Sequence, residues 1–166
     1  MSGYVQPFTP IHEGGLTELV GINEQVDQND YSGSVALTVG AGSDNTRLVS
    51  GEILAVALYA TEDGTGAILQ SAGKLIVLDA DPAIASGDTA MTAAERVTVI
   101  GTIAVLAADW VADANGAVNY IYSQPLAFHD LATLYFVWLH QSATAINSDA
   151  ADDEQLEFNI WYRRDS

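Results

Sequence analysis

The side chains that could carry out chemistry in this 166-residue sequence are three histidines and a large excess of carboxylates. A serine hydrolase places its nucleophile on a tight turn with a histidine within reach, and no Gly-x-Ser-x-Gly turn occurs here. His12 lies in an N-terminal segment, His129 lies at an expected turn, and His140 ends an expected strand. We expect each histidine to hydrogen-bond locally, and the sequence predicts a protein that is not an enzyme.

Carboxylates are numerous enough to suggest calcium binding or glycosidase chemistry. Their groups, which lie at expected bends, are Asp79 with Asp81, Asp109 with Asp113 and Asn115, and a dense run of Asp149, Asp152, Asp153 and Glu154. None matches the loop that wraps calcium with alternating oxygen ligands, and local spacing does not reveal the two opposed carboxylates of a glycosidase. We predict no metal and no cofactor. The alternative is a cation held by the 149–154 run or between subunits.

The net charge narrows the classes of partner. Twenty-two acidic residues stand against five basic ones, which gives a formal charge of −17. Phosphate binding depends on Lys and Arg side chains that displace counterions, and no basic stripe is present. We therefore expect neither nucleic acid nor a membrane as a partner. The charge also opposes self-association, so high salt should favour assembly; adaptation to a saline medium is a second explanation of the acidity.

The sequence carries no pattern typical of export or membrane insertion. Residues 1–5 lack the positive start and apolar core of a signal peptide. The longest apolar stretch, residues 97–108, is interrupted by Thr98, Gly101 and Thr102 and is too short for a membrane span. The lack of cysteine excludes disulfides and favours synthesis in a reducing cytoplasm. We expect a soluble protein made in the cytoplasm.

Two segments near the end of the sequence give the clearest structural signal. In residues 156–163 the apolar Leu156, Phe158, Ile160 and Tyr162 occupy every second position, which is the period of a strand with one buried face. Residues 131–140 are apolar at both sets of alternate positions, so this strand needs cover on both sides. We expect these two strands to pair.

Strand-like runs recur from residue 34 onward, between segments rich in turn residues. The predicted strands are residues 34–39, 48–60, 67–78, 97–106, 117–122, 131–142 and 156–163. Thr92 and Glu95 fit a capping box, which predicts one helical turn. Seven or eight strands in one domain have to bury two apolar faces, so we predict an all-β fold, an antiparallel sandwich or jelly roll, with a closed barrel as the alternative.

The first 32 residues differ from the rest in composition and pattern. Prolines and glycines interrupt them, and their apolar residues are irregularly spaced. We divide the chain into an N-terminal arm or edge segment, residues 1–32, and a β-sandwich domain, residues 33–166. The arm either lies on its own domain or grips a neighbouring subunit.

Aromatic residues could form a platform for sugar rings if they lay together on an exposed face. The candidates are Trp110, Tyr120, Tyr122, Trp138 and Trp161. Trp161 alternates with polar residues, so we expect it to point away from the core of its strand, toward solvent or a partner. Trp138 lies on the doubly apolar strand and is expected in the core or in an interface.

The chain is expected to be an acidic, cysteine-free β-sandwich with a polar arm and the closing strand Glu157-Phe-Asn-Ile-Trp-Tyr-Arg-Arg164. In these features it resembles the decoration (cement) proteins of tailed-phage capsids of the jelly-roll type. The resemblance implies a non-enzymatic protein on the exterior of a virion. It implies a homotrimer that clamps adjacent subunits of the major capsid protein and stabilises the shell.

If that resemblance holds, the partners are further copies of this chain and the major capsid protein. The residues that we expect to contact a subunit or the capsid are Tyr4, Val5, Phe8 and Ile11 in the arm and Trp161 and Arg163 on the last strand. The alternative from another class is a carbohydrate-binding or receptor-binding β-sandwich module. A third is a hydrolase on a β scaffold.

Overall fold

Strands account for nearly all of the regular structure, as the alternating apolar patterns predict. The computed structural model describes residues 11–12, 16–20, 24–41, 46–61, 70–113, 116–121, 125–149, 152–153 and 155–165. The strands in these ranges are β1 (Ile11–His12), β2 (Thr17–Val20), β3 (Gln25–Val26), β4 (Val35–Thr38), β5 (Val49–Thr61), β6 (Gly73–Leu78), β7 (Val99–Val105), β8 (Val111–Asp113), β9 (Gly116–Ile121), β10 (Leu126–Leu131), β11 (Thr133–His140), β12 (Ile146–Asp149), β13 (Asp152–Asp153) and β14 (Gln155–Arg164). Helix α1 spans Ala93–Arg96, and a 3₁₀ turn spans Ala107–Asp109.

The strands form two main antiparallel sheets and a small ribbon. The large sheet has the order β1-β14-β5-β9-β8, with β2 also paired to β14 and β10 also paired to β5. The small sheet has the order β4-β11-β6-β7, and the ribbon has the order β13-β12-β3. The prediction of an all-β antiparallel sandwich is confirmed.

The core lies between the inner faces of the two main sheets. Alternate residues of β14 and β11 point into it, and the rings of Phe158 and Phe136 meet with their centroids 4.6 Å apart. Leu156, Ile160 and Tyr162 are likewise buried, so the apolar set that the alternation singled out forms one wall of the core. Burial of this set stabilises the fold by the hydrophobic effect.

The expected pairing of the two C-terminal strands is wrong. Strand β11 hydrogen-bonds to β4 and β6, whereas β14 hydrogen-bonds to β5, β2 and β1. The two strands instead face each other across the sandwich. Apolar alternation shows that a strand has a buried face, but it does not distinguish a neighbour in the same sheet from a strand in the opposite sheet.

The outer face of the small sheet has its own cover, as the two apolar faces of β11 require. Ile84 and Met91, from the segment between β6 and β7, form a second apolar cluster with Ile76, Leu78 and Val137. Backbone hydrogen bonds fix this segment, since the amide of Ser34 donates to the carbonyl of Ile84 at 3.1 Å. The predicted helical turn lies in the same segment as α1, with its Thr92–Glu95 capping box present.

The described parts of residues 1–32 lie against the sandwich. Leu19 and Val20 of β2 and Val26 of β3 are buried in the main core. Each of the seven predicted strands overlaps one observed strand, and these are β4, β5, β6, β7, β9, β11 and β14. The predicted strand at 67–78 is shorter in the structure, because β6 begins at Gly73 and residues 67–69 lie outside the described residues. The structure adds β10 and several strands of two to four residues.

Candidate interaction surface

The outer face of the large sheet brings together the two residues that the sequence singled out on the last strand. Successive side chains of a strand point to opposite faces, so the residues between the buried positions of β14 lie on the outside. We call this surface the Trp161 face, and it consists of Glu157, Asn159, Trp161 and Arg163 of β14 with Glu52, Ala55, Ala57 and Tyr59 of β5.

Small residues lie at the centre of the Trp161 face. Trp161 is paired in register with Ala55, and Asn159 with Ala57. Ala57 is 0 % exposed and Asn159 is 7 % exposed, whereas Trp161 is half-buried. The centre of the Trp161 face at Ala57 and Asn159 is therefore covered, and Trp161 is the more accessible side chain beside it.

One end of the Trp161 face carries an ion pair. The guanidinium of Arg163 lies 2.6 Å from the carboxylate of Glu52, its register partner on β5. The side chains are 36 % and 30 % exposed, so solvent screens the pair and its contribution to stability is about 1 kcal/mol or less. The pair fixes the direction of Arg163 across the sheet more than it stabilises the fold.

The other end of the Trp161 face carries two carboxylates. Glu157 of β14 is paired in register with Glu18 of β2. Burial, and secondarily the charge of Glu18, raise the pKa of Glu157 above its ordinary value. Like charges directly opposite each other on one face are unfavourable. This end of the surface therefore takes up a proton or a positively charged partner more readily than an isolated glutamate would.

The edge of the large sheet beside Trp161 is formed by the N-terminal segment. In β1, Ile11 is paired with Tyr162 and His12 with Trp161. Ile11 therefore lies next to the last strand, although these residues are about 150 positions apart in sequence. Tyr4, Val5 and Phe8, the other predicted contact residues, lie outside the described residues.

The three histidines lie on different strands. His12 is in β1, and His129 is exposed in β10, next to the irregularity between Phe128 and Leu131, so the prediction of a turn at His129 is wrong. His140 is buried at the end of β11, and its Nε2 donates to the carbonyl of Thr144 at 2.7 Å. Burial lowers the pKa of His140 below its ordinary value of 6.5, against smaller opposing effects of this hydrogen bond and of Asp27 and Asp30.

Two of the carboxylates at the expected bends accept hydrogen bonds. Asp81 accepts from the hydroxyl of Ser34 at 3.1 Å and from the amide of Ala83 at 2.8 Å, and Asp109 accepts from the amide of Leu106 at 2.9 Å. In the 149–154 run, Asp149 is paired with Asp152 in the ribbon, and the side chains lie outside the described part of the chain. Within the described residues, no group of three or more His, Cys, Asp or Glu side chains could hold a metal ion.

Two of the three tryptophans belong to the core. Trp138 is fully buried, as expected, and Trp110 is 6 % exposed and donates from its Nε1 to the carbonyl of Ser71 at 2.9 Å. Trp110 and Trp138 therefore do not contribute to an exposed aromatic platform, and the side chains of Tyr120 and Tyr122 lie outside the described residues. Trp161 remains, with Tyr59 as an aromatic neighbour on the same face.

Arg164, which was not among the predicted contact residues, joins the two sheets at one end of the sandwich. Its Nε donates to the carbonyl of Val39 at 2.9 Å, and its Nη2 donates to the carbonyl of Gly40 at 2.8 Å. Its guanidinium also lies 5.6 Å from the centre of the Tyr162 ring. The one available signal was that arginines are rare in so acidic a chain, which gives each of them added weight.

Comparison with known protein families finds no family that matches this chain, and comparison with curated proteins finds no matching relative. Among the described residues, no helix has the length and hydrophobicity that crossing a membrane requires.

Proposed function

We propose that this protein is a non-enzymatic structural protein of a virus, a capsid decoration protein that binds the outer surface of the shell and stabilises it. In this proposal the protein acts as a homotrimer and contacts the major capsid protein. The contact surface is the Trp161 face together with the N-terminal segment that begins beside it.

The observation that carries the proposal is the register of β1 with β14. The arm and the last strand were separate candidates in the sequence, and the pairing of His12 with Trp161 makes them neighbours. A half-buried tryptophan, an arginine held by Glu52 and the root of the arm then form one continuous surface. Tryptophan and arginine are the residues most enriched at the energetic centres of protein interfaces.

The charge favours a position outside the shell. A protein with a net charge of −17 is repelled by packaged nucleic acid, and its copies repel one another. Assembly must then rest on apolar contacts, and salt should strengthen it by screening the repulsion. We expect the trimer to be more stable at high salt.

The mass in solution tests the proposal first. Light scattering after size exclusion, at about 50 mM and about 1 M NaCl, should give a trimer that is favoured at high salt. Trp161→Ala should shift the mass toward the monomer, whereas Leu106→Ala, which removes a 62 % exposed apolar side chain away from the Trp161 face, should leave it unchanged.

Binding to the shell is the second test. The trimer should bind and stabilise empty capsids that lack it, and Trp161→Ala should reduce that binding. A monomer at both salt concentrations, or a trimer that binds no shell, would refute the proposal.

A second candidate function is carbohydrate binding through the same face. Trp161 and Tyr59 lie on adjacent strands four register positions apart, roughly 13 Å along the sheet, with Asn159 between them in register. This arrangement of rings and polar groups suits a short glycan. A glycan screen that follows tryptophan fluorescence distinguishes the two functions, since quenching that is lost in Trp161→Phe would favour carbohydrate binding.

A further inference from the structure

The end of the sandwich where Arg164 joins the sheets contains a cavity of about 480 Å³. Two of the five basic residues of the chain, Arg47 and Arg164, line it. Arg47 forms an isolated antiparallel bridge with Ala41 through reciprocal backbone hydrogen bonds of 3.0 and 3.1 Å. The cavity is therefore bordered by the ends of β4 and β14 and by the start of β5.

Arg164 enters the cavity as a fixed group. Its Nε and Nη2 donate to the carbonyls of Val39 and Gly40, and Nη2 also donates to the hydroxyl of Tyr162 at 3.2 Å. A guanidinium has five N–H donors in a rigid fork, so these bonds orient it and leave the two donors on Nη1. Within the described residues, nothing accepts a hydrogen bond from Nη1.

Arg47 supplies a second cation. Its side chain is exposed and forms no ion pair with any carboxylate among the described residues. Within the described residues, the cavity thus holds two guanidiniums that form no ion pair, and an anion that enters it gains charge-assisted hydrogen bonds.

The walls also restrict the kind of anion. Asp165 lines the same cavity without forming an ion pair with either arginine in the described structure, so the two guanidiniums and one carboxylate leave a net charge of +1, which a singly charged anion neutralises. Leu48, which is 59 % exposed, and Val49 provide apolar surface beside the arginines. We propose that this cavity binds a small aliphatic carboxylate, with its oxygens on Arg47 and Arg164 and its apolar tail on Leu48.

This proposal goes beyond the proposed function, because the cavity does not include the Trp161 face. The test is an NMR titration of the intact protein with butyrate at constant ionic strength, following the backbone amides of Ala41, Ser50 and Asp165. We expect saturable shifts with a dissociation constant of about 1 mM. Butyramide, which has the same shape without the charge, and inorganic phosphate should each bind at least about tenfold more weakly.

Two variants and one control complete the experiment. Arg47→Gln should weaken butyrate binding at least about tenfold, and Lys74→Gln, which removes the same charge from the small sheet, should not. Arg164→Lys keeps the charge but loses the fork, so it should weaken binding too, with thermal unfolding checking that the sheets remain joined. Unsaturable shifts, equal effects of Arg47→Gln and Lys74→Gln, or phosphate binding as tight as butyrate binding would overturn the proposal.

Discussion

Gly73 lies at the closest approach between the backbone of β6 and a buried indole, and its replacement by alanine tests the packing of the sandwich. A Cβ atom at this position would lie 2.2 Å from Cζ2 of Trp138 and 2.6 Å from the carbonyl oxygen of Leu139. Neither neighbour is free to move. Trp138 is fully buried, and the carbonyl belongs to the strand β11 that pairs with β6.

The expected loss of stability follows from these two distances. Overpacking a well-filled core costs typically 1–3 kcal/mol, and an overlap of more than 1 Å with fixed atoms belongs at the top of that range. Alanine in a strand gains about 0.5–1 kcal/mol over glycine through the unfolded state. We therefore expect Gly73→Ala to lower the free energy of unfolding by about 2 kcal/mol.

Gly101→Ala is the matched control. Its Cβ would also lie close to a neighbour, 2.4 Å from Cδ2 of Leu126. That neighbour is the end of a flexible, half-buried side chain, and its rotation costs only about 0.5–1.5 kcal/mol. The cost nearly cancels the gain from alanine, so we expect a change within about 1 kcal/mol.

Urea unfolding, followed by tryptophan fluorescence, measures the free energy of unfolding of both variants. The protein and salt concentrations are kept the same, because self-association and charge also affect stability. With a urea dependence of about 2 kcal/mol per molar, Gly73→Ala should lower the midpoint by about 1 M. A Gly73→Ala variant as stable as Gly101→Ala would refute the reasoning, since it would mean that Trp138 does not pack against β6 as described.

Three further predictions concern single side chains. In urea unfolding, Trp161→Ala should lower the free energy of unfolding by about 1 kcal/mol. Tyr162→Ala removes a fully buried ring and should lower it by about 3–5 kcal/mol. Equal losses would place Trp161 in the core. Burial holds the pKa of His140 below 6.5 in the folded protein, so the unfolded state takes up the proton first and the free energy of unfolding should fall as the pH is lowered through 6.5. In His140→Gln this part of the pH profile should flatten. An unchanged slope would contradict the assignment of the pH dependence to His140. Glu157→Gln should stabilise the fold at pH 7 by roughly 0.5 kcal/mol, because it removes the repulsion with Glu18. Thermal unfolding measures this change. A loss of stability would show that the fold needs the carboxylate.

The local patterns predicted individual elements well. The alternation of Leu156, Phe158, Ile160 and Tyr162 located β14 and its buried face, and the capping box located α1. The apolar character of both faces of β11 predicted cover on both sides, which the segment carrying Ile84 supplies on the outer face. These features depend on neighbours in sequence, so sequence alone specifies them.

Features that depend on distant contacts could not be predicted in this way. Strand β10 carries Phe128 in the core, but Asp130, with a φ of 52°, interrupts its regular pairing with β5, and the sequence around His129 resembles a turn. The hydrogen bonds of Arg164 join residues about 125 positions apart. No local spacing signals a register between distant strands, because register is fixed by the packing of the whole sheet.

The position of β14 within its sheet limits how a partner can use the Trp161 face. In the described structure β14 has β5 along one edge and β1 and β2 along the other, so much of its backbone hydrogen-bonding capacity is already used. A partner that docks here must bind through side chains, and Trp161 and Arg163 then determine its affinity. Strand addition requires an outermost strand, and among the described strands these are β4 and β7 in the small sheet and β1, β2, β8 and β10 in the large sheet. If an arm from a neighbouring copy adds a strand, it therefore adds to a different edge, and contacts through the arm and through the Trp161 face can be separated by mutation.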